Sequence, residues 1–209
     1  MEYIYEAHNM LPKTFCKEII EKFESDSRRG PGKLQSGVVD DREKKSTDLN
    51  IEQNTGWGIE SNHINDAFNT AFIQYLNYLK FNIFGQEKAL IVDHLLVGKN
   101  IDRTTFLCRK YQVGDFFKWH IDYNLANAGN RLCNIIIYLN DHEACTEFLN
   151  GKKIKPEAGK IVFFPTTWVH AHCGQIIENG AKYIITSFII YEKELAQNSP
   201  FTITYDRSK

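Results

Sequence analysis

Apolar residues recur at helical spacing in two stretches of the first 85 residues, and both stretches predict amphipathic helices. The first helix follows a short strand at 1–7, begins near Leu11 and ends near Gly30. The second begins at Ser61 or Asn62, either of which can cap its first turn. Its apolar face has these members: Ile64, Ala67, Phe68, Ala71, Phe72, Tyr75, Leu76 and Leu79. Such a face is typical of a helix that packs across a sheet.

The segment 30–58, between the two helices, is polar and contains several glycines. Its composition indicates a solvated, mobile loop. A long loop in a compact domain also fits a lid that covers an active site. The residues alone leave both interpretations open.

After Gly85 the pattern changes to short apolar runs that are separated by turns. The predicted strands are 90–97, 104–111, 116–121, 131–139, 146–149, 160–164, 168–172 and 183–191. The turns include 98–100, 113–115, 128–130, 150–151 and 179–180. Strands without intervening helices predict an antiparallel sandwich or jelly roll. The expected fold class is α+β, mainly β: a double-stranded β-helix (jelly roll) core buttressed by N-terminal helices.

Composition excludes some classes of protein. The 209 residues are 43% hydrophobic and 24% charged, with a net charge of -1, so nothing global suggests a nucleic acid or an anionic membrane as partner. No apolar run reaches the ~20 residues of a membrane helix, and the N-terminus lacks the pattern of a signal peptide. The five cysteines show no C-x-x-C spacing, which argues against a disulfide framework. We therefore expect a cytoplasmic, intracellular protein.

Candidate chemistry begins with His120 and Asp122, which have one residue between them. In a strand, residues two apart point to the same face, as two ligands of one metal ion must. A lone H-x-D is common by chance, so a third ligand matters. His170 and His172 offer one, again two residues apart. Two histidines and one carboxylate form the facial triad that suits non-haem Fe(II) and O2 chemistry.

Lys182 lies ten residues after His172 on a strand rich in Ile, Tyr and Phe. A lysine in that position either extends its ammonium group to water or has its charge matched inside the protein. A substrate carboxylate inside the barrel would match it.

Five motifs in one order carry a resemblance to a known family: Y-Q-V-G-D-F-F-K-W-H-I-D, R-L-C-N-I-I-I-Y-L-N, T-E-F-L, P-E-A-G-K-I-V-F-F-P and H-C-G-Q-I-I-E-N-G-A-K-Y. With them the chain resembles the Fe(II)/2-oxoglutarate-dependent dioxygenases of the prolyl 4-hydroxylase type, including bacterial, algal and viral members. The resemblance covers most of 3–191 and is strongest over 106–191.

The resemblance implies roles for particular residues. His120 and Asp122 would be iron ligands. His172 matches the family's distal histidine, which stands ten residues before the basic residue, here Lys182. His170 instead matches the position five after the proline in related F-P-x-x-x-x-H patterns. We prefer His172 and keep His170 as the alternative ligand.

The rest of the implied cosubstrate site includes two tyrosines. Tyr138 would bind the far carboxylate of 2-oxoglutarate beside Lys182, and Tyr111 would face the oxoglutarate or the iron. The chain departs from the family before Thr146, where 143–145 lack the glycines of the family's G-G-x-T segment. That departure puts the shape of one turn in doubt.

The activity implied is hydroxylation of an unactivated C–H bond, with decarboxylation of 2-oxoglutarate to succinate and CO2. Fe(II), 2-oxoglutarate and O2 would be required, with ascorbate as reductant. The expected partner is a proline-containing peptide or protein, with no membrane and no nucleic acid. A lysyl residue, a free amino acid or a nucleic-acid base stays open as substrate, as does a silent jelly-roll binding protein. The oligomeric state stays open too.

The resemblance also predicts the domain organisation. Residues 1–209 would form a single 2-oxoglutarate/Fe(II) dioxygenase domain. Within it, 1–85 would supply a helical buttress and a lid loop, and 86–195 the jelly-roll catalytic core.

Overall fold

The structure of the protein is a computed structural model that describes residues 3–96, 101–123 and 131–191. The turns predicted at 98–100 and 128–130, and the predicted end of the core at 195, lie outside these residues. In the described part of the chain, no helix is long and apolar enough to cross a membrane. The extent of the single domain over 1–209 stays a prediction.

Both predicted N-terminal helices form. Helix α1 spans Lys13–Ser25 and helix α2 spans Gly58–Tyr78. Pro12 precedes α1, where its missing N–H costs no helical hydrogen bond. Helix α2 continues through a π-helical turn, Leu79–Phe84, and a 3-10 turn, Gln86–Lys88.

The strand predicted at 90–97 is wrong, because Ala89–Leu96 form a third helix, α3. Val97 lies outside the described residues. A short apolar run fits a strand or a helix equally well by its pattern. Here the helix buries Val92 while leaving Leu90 and Leu95 exposed. The order of apolar residues along the sequence did not distinguish this helix from a strand.

The strands, in chain order, are β1 (Tyr5–Ala7), β2 (Gly30–Pro31), β3 (Lys44–Lys45), β4 (Thr47–Asn50), β5 (Ile101–Arg103), β6 (Leu107–Gln112), β7 (Phe116–His120), β8 (Arg131–Tyr138), β9 (Thr146–Phe148), β10 (Lys153–Ile154), β11 (Ile161–Pro165), β12 (His172–Gly174) and β13 (Ala181–Tyr191). Six of the eight strands predicted after Gly85 form, with bounds shifted by three residues or fewer. The short strands β2 to β5 and β10 were not predicted.

The strands form two antiparallel sheets that face each other. The larger sheet has the order β1-β11-β8-β13-β6-β4-β2, with β5 paired to β13, and the smaller has the order β10-β9-β12-β7-β3. Neighbours that are distant in sequence pair in both sheets, which is the connectivity of a jelly roll.

Strand β8 shows how the larger sheet separates two interiors. Cys133, Ile135 and Ile137 belong to the core that α1 and α2 cover. Ile136 and Tyr138 belong to the core between the two sheets. Successive side chains of a strand point to opposite faces. A strand buried on both sides is therefore mostly apolar, and its residues are divided between two environments.

The interpretation of 30–58 as a solvated loop needs correction, because three of its stretches are strands. Strand β4 pairs with β6, and β3 pairs with β7. The sequence conceals these strands because they are only two to four residues long: Leu49 is the one buried residue of β4, and the buried residue of β3 is Lys44. A pattern search that equates buried with apolar cannot find such short strands.

Replacing Phe163 with Ala tests the packing of α2 on the larger sheet. Phe163 is fully buried and its ring stacks on Tyr75 with centroids 5.1 Å apart. We expect Phe163→Ala to lower the free energy of unfolding by about 3–5 kcal/mol, since it leaves a cavity. Urea unfolding followed by circular dichroism measures this. Phe81→Ala is the matched control, because Phe81 is 62% exposed; an equal loss in both variants would contradict the packing.

Candidate functional site

Three of the predicted site residues meet between the sheets. His120 ends β7, Asp122 follows two residues later, and His172 begins β12. In the antiparallel pair of β7 and β12, His172 lies directly opposite His120. Ligand atoms of His120, Asp122 and His172 all lie within 4.8 Å of one another.

Both imidazoles are held in the orientation that a metal ligand needs. The Nδ1–H of His120 donates to the carbonyl of Lys118 at 2.7 Å, and that of His172 donates to the carbonyl of His170 at 3.1 Å. The Nε2 atoms then carry the lone pairs, and they lie 3.8 Å and 3.6 Å from the Asp122 carboxylate. Backbone carbonyls commonly fix metal-binding histidines in this way. Two such imidazoles and one carboxylate therefore fit a divalent transition-metal ion.

Burial also favours the neutral, metal-binding form of His120. It lowers the pKa of His120 to about 4, and the neighbouring His172 adds to the effect. The ring of Phe117 stacks on His120 at a centroid distance of 3.6 Å. This stacking confines the imidazole to one orientation.

The alternative ligand, His170, lies elsewhere. The strand predicted at 168–172 is wrong, because Trp168–His170 form a 3-10 turn and β12 begins only at His172. The two histidines therefore do not share a strand face. His170 makes an edge-on contact with Tyr3, at 6.4 Å between ring centroids, and is outside the group formed by His120, Asp122 and His172.

Lys182 and Tyr111 line the same cavity as the His-Asp-His cluster. Lys182 is 3% exposed, and its Nζ donates to the carbonyl of Ala144 at 3.1 Å. Within the described residues, no carboxylate forms an ion pair with it. Burial lowers the pKa of Lys182 to about 8. The ring of Tyr111 lies 5.4 Å from the ammonium group.

Tyr138 does not line this cavity, although the tyrosine was predicted to bind a carboxylate there. Its hydroxyl is fully buried and lies 2.7 Å from the hydroxyl of Thr146, which does line the cavity. Burial raises the pKa of Tyr138. Tyr138 thus contacts the cavity through Thr146.

A network of buried charges forms the wall beside Tyr111. Asp48 on β4 lies opposite Arg109 on β6. Its Oδ2 accepts from Lys44 Nζ at 2.8 Å and lies 3.6 Å from Arg109, while its Oδ1 accepts from the Ser46 hydroxyl at 2.8 Å. Of these residues, Arg109 lines the cavity.

A family model matches the region that carries the site. Residues 106–190, which include the His-Asp-His cluster and Lys182, match the model described as the 2OG-Fe(II) oxygenase superfamily. The match covers less than half of the chain, so it shows that this region is similar to that superfamily. A PKHD-type hydroxylase from Synechococcus sp. (strain CC9902) is 28% identical over 92 residues, 41% of this chain and 40% of the relative. The match therefore spans less than half of the relative's length.

The likeness to solved structures extends over nearly the whole chain. A viral collagen prolyl hydroxylase from Paramecium Bursaria Chlorella virus-1, as its 2OG complex, has a TM-score of 0.61 at 18% identity and covers 90% of this chain and 96% of its own. A Trichoplax adhaerens prolyl hydroxylase, in complex with a hypoxia inducible factor peptide fragment, has 0.67 at 17%, covering 94% and 87%.

A Pseudomonas putida prolyl-4-hydroxylase has a TM-score of 0.59 at 15% identity, and covers 91% of this chain and 94% of its own. At such identities the likeness shows the fold. It confirms the predicted α+β, mainly β jelly roll with its N-terminal helices.

The sequence interpretation of this region missed two residues that contact the site. The Nδ2 of Asn134 donates to Oδ2 of Asp122, and Arg109 lines the cavity. Each carried a signal. Asn134 is a polar residue within the apolar run of β8, and Arg109 has the same strand parity as Tyr111.

Replacing Asp48 with Asn tests the buried charge network. The change leaves Lys44 and Arg109 buried without their shared carboxylate. We expect the free energy of unfolding to fall by about 3–5 kcal/mol, as when one partner of a buried ion pair is removed. Urea unfolding measures the loss.

Asp40→Asn is the matched control, because Asp40 pairs with an Arg42 side chain that is 86% exposed. Its unfolding midpoint should hardly change. A stability of Asp48→Asn equal to that of this control would contradict the network.

Proposed function

We propose that the protein is an Fe(II)- and 2-oxoglutarate-dependent dioxygenase that hydroxylates a prolyl residue in a peptide or protein. One observation carries the proposal: Lys182, a buried cation without a carboxylate partner among the described residues, lines the cavity that also holds the His-Asp-His cluster. Buried charges are normally matched. A metal-chelating dicarboxylate would match this one.

His120, Asp122 and His172 would hold the metal through the two Nε2 atoms and the carboxylate. His172 is preferred to His170 because it lies opposite His120 and is in the cluster. A facial arrangement leaves coordination positions for the keto acid end of 2-oxoglutarate and for O2. The bound metal would supply the oxidative chemistry that converts 2-oxoglutarate to succinate and CO2 and hydroxylates the substrate carbon.

Lys182 would bind the far carboxylate of 2-oxoglutarate by a charge-assisted hydrogen bond. The hydroxyl of Thr146, itself hydrogen-bonded to Tyr138, is a second group of the cavity that can reach that carboxylate. Tyr111 would contact the cosubstrate from the side of the larger sheet. Burial away from water would strengthen this ion pair.

The choice of a prolyl substrate rests on similarity to prolyl hydroxylases, one of which is in complex with a peptide. The segment between β2 and β3 would cover the substrate. Strand β3 pairs with β7, the strand that ends in His120, so this segment returns to the sheet beside the metal cluster. The Nζ of Lys118, on β7, lies 3.2 Å from the carboxylate of Glu43 at the end of this segment.

Succinate release tests the proposed function. Purified protein is incubated with 2-oxoglutarate, Fe(II), ascorbate as the proposed reductant and a panel of proline peptides. We expect succinate and a peptide product that is 16 daltons heavier, about the mass of one oxygen atom. If succinate is not released and 2-oxoglutarate does not bind in an Fe(II)-dependent way, the silent binding protein becomes the better explanation.

Separate alanine substitutions test the assignment of the distal ligand. We expect His172→Ala to abolish tight binding of Fe(II) or Mn(II), because one of three protein ligands is lost. His170→Ala should bind metal like the unsubstituted protein and serves as the matched control. Anaerobic isothermal titration measures both. Loss of metal binding in His170→Ala alone would reverse the assignment.

The pH dependence of 2-oxoglutarate binding tests Lys182. Binding needs the charged ammonium, and burial has lowered its pKa to about 8. Affinity should therefore be full below about pH 7 and fall as the pH rises through 8, by about tenfold for each further unit. Titrations of 2-oxoglutarate into the Mn(II)-loaded protein, between about pH 6.5 and 9.5, measure this affinity.

Lys182→Arg is the control for that titration, since a guanidinium stays charged over the whole range. Its affinity, whatever its value at pH 7, should not decline between about pH 7.5 and 9.5. Parallel declines in both proteins would show that another group titrates.

A further inference from the structure

Arg109 is a second buried cation in the cavity that holds the metal cluster and Lys182. It comes from β6, on the same strand face as Tyr111. Its Nε donates to the hydroxyl of Thr186 at 3.1 Å, and its Nη1 lies 3.6 Å from Asp48. The proposed function assigns no task to this guanidinium.

Asp48 cannot neutralise Arg109 by itself, because it already pairs with Lys44. The Lys44 ammonium is fully buried and lies closer to the carboxylate, at 2.8 Å against 3.6 Å for Arg109. Two cations therefore share one negative charge. Burial lowers the pKa of Lys44 to about 8, and repulsion from Arg109 adds to the effect. Lys44 is still mostly charged at pH 7.

The loaded site would retain this excess charge. A divalent metal and doubly charged 2-oxoglutarate offset each other, and Lys182 offsets Asp122. One positive charge of the Lys44–Asp48–Arg109 network then has no counterpart among the residues that line the cavity. The substrate, which binds last, would then supply the negative charge that neutralises this positive charge.

We propose that the substrate presents a carboxylate to Arg109, next to the carbon that is hydroxylated. The inference rests on the Fe(II) and 2-oxoglutarate chemistry of the proposed function and deepens it by naming a group of the substrate. The planar guanidinium suits a carboxylate because two N–H groups can meet two oxygens side by side. The carboxylate is either that of a free amino acid or the C-terminal group of a peptide.

Asn134 provides a second, independent observation. Its Nδ2 donates to Asp122, while its Oδ1 is buried without a hydrogen-bond partner and belongs to a residue that lines the same cavity. Buried acceptors are normally satisfied. A donor on the substrate, such as an amine or amide N–H, would satisfy it, so the cavity offers complementary groups for both polar ends of an amino-acid unit.

Acid and amide pairs of the same compound provide the test. The probes are a peptide that ends in proline with a free carboxylate, its C-terminal amide, free L-proline and prolinamide. Binding is measured by isothermal titration to the protein with Mn(II) and 2-oxoglutarate, without O2, so that no turnover occurs. We expect at least one acid to bind about tenfold or more tightly than its amide. The two pairs distinguish the sources of the carboxylate.

Substitution of Arg109 links that preference to the residue. Arg109→Gln should abolish the preference for the acid and keep the affinity for 2-oxoglutarate, which also shows that the variant is folded. Arg42→Gln removes a charge at an exposed position and should keep the preference. Lys44→Met leaves Arg109 in place but frees Asp48 to neutralise it, so the preference should shrink without being lost.

Three results would overturn the inference alone. These are equal affinity of the unsubstituted protein for acids and amides, no binding of either acid, and loss of 2-oxoglutarate affinity in Arg109→Gln, which would make Arg109 a cosubstrate ligand. Absence of Mn(II)-dependent 2-oxoglutarate binding in the unsubstituted protein would instead overturn the proposed function and this inference together.

Discussion

The antiparallel pairing of β7 with β12 places His172 directly across from His120, and the candidate site depends on that pairing. The two imidazoles come from positions 52 residues apart in the chain, yet a strand register holds them opposite each other. A shift of one residue would turn one imidazole to the other face of the sheet. The pairing of β12 with β9 fixes the same register from the other side.

Backbone carbonyls complete the arrangement of charged groups. They hold the Nδ1 atoms of both histidines, and the carbonyl of Ala144 accepts from Lys182. Ala144 lies in the turn that lacks the glycines of the related family. The turn nevertheless places a carbonyl on the buried ammonium, so the departure in sequence changes side chains and leaves a backbone acceptor in place.

The interior between the sheets is unusual in its concentration of charge. Lys182, Arg109 and Lys44 are all largely buried, with Asp48 and Asp122 as the nearby carboxylates. Burying these charges is costly. In the proposed function, bound anions would offset that cost.

The sequence by itself determined the two N-terminal helices and six of the later strands, because these follow from the local periodicity of apolar residues. Motif spacing also singled out His120, Asp122, His172 and Lys182, which the structure brings into one cavity. Only the tertiary structure decided the rest. Residues 89–96 formed a helix although their short apolar run fits a strand equally well, and His170 is off the strand face because a 3-10 turn precedes β12.

The network of Lys44, Asp48 and Arg109 was equally invisible, since a buried face made of charges has no apolar pattern to detect. Lys44 and Asp48 look like solvated loop residues until β3 pairs with β7 and β4 pairs with β6. Periodicity reports which residues prefer to leave water, whereas the pairing of distant strands decides which charges have to find partners inside the protein.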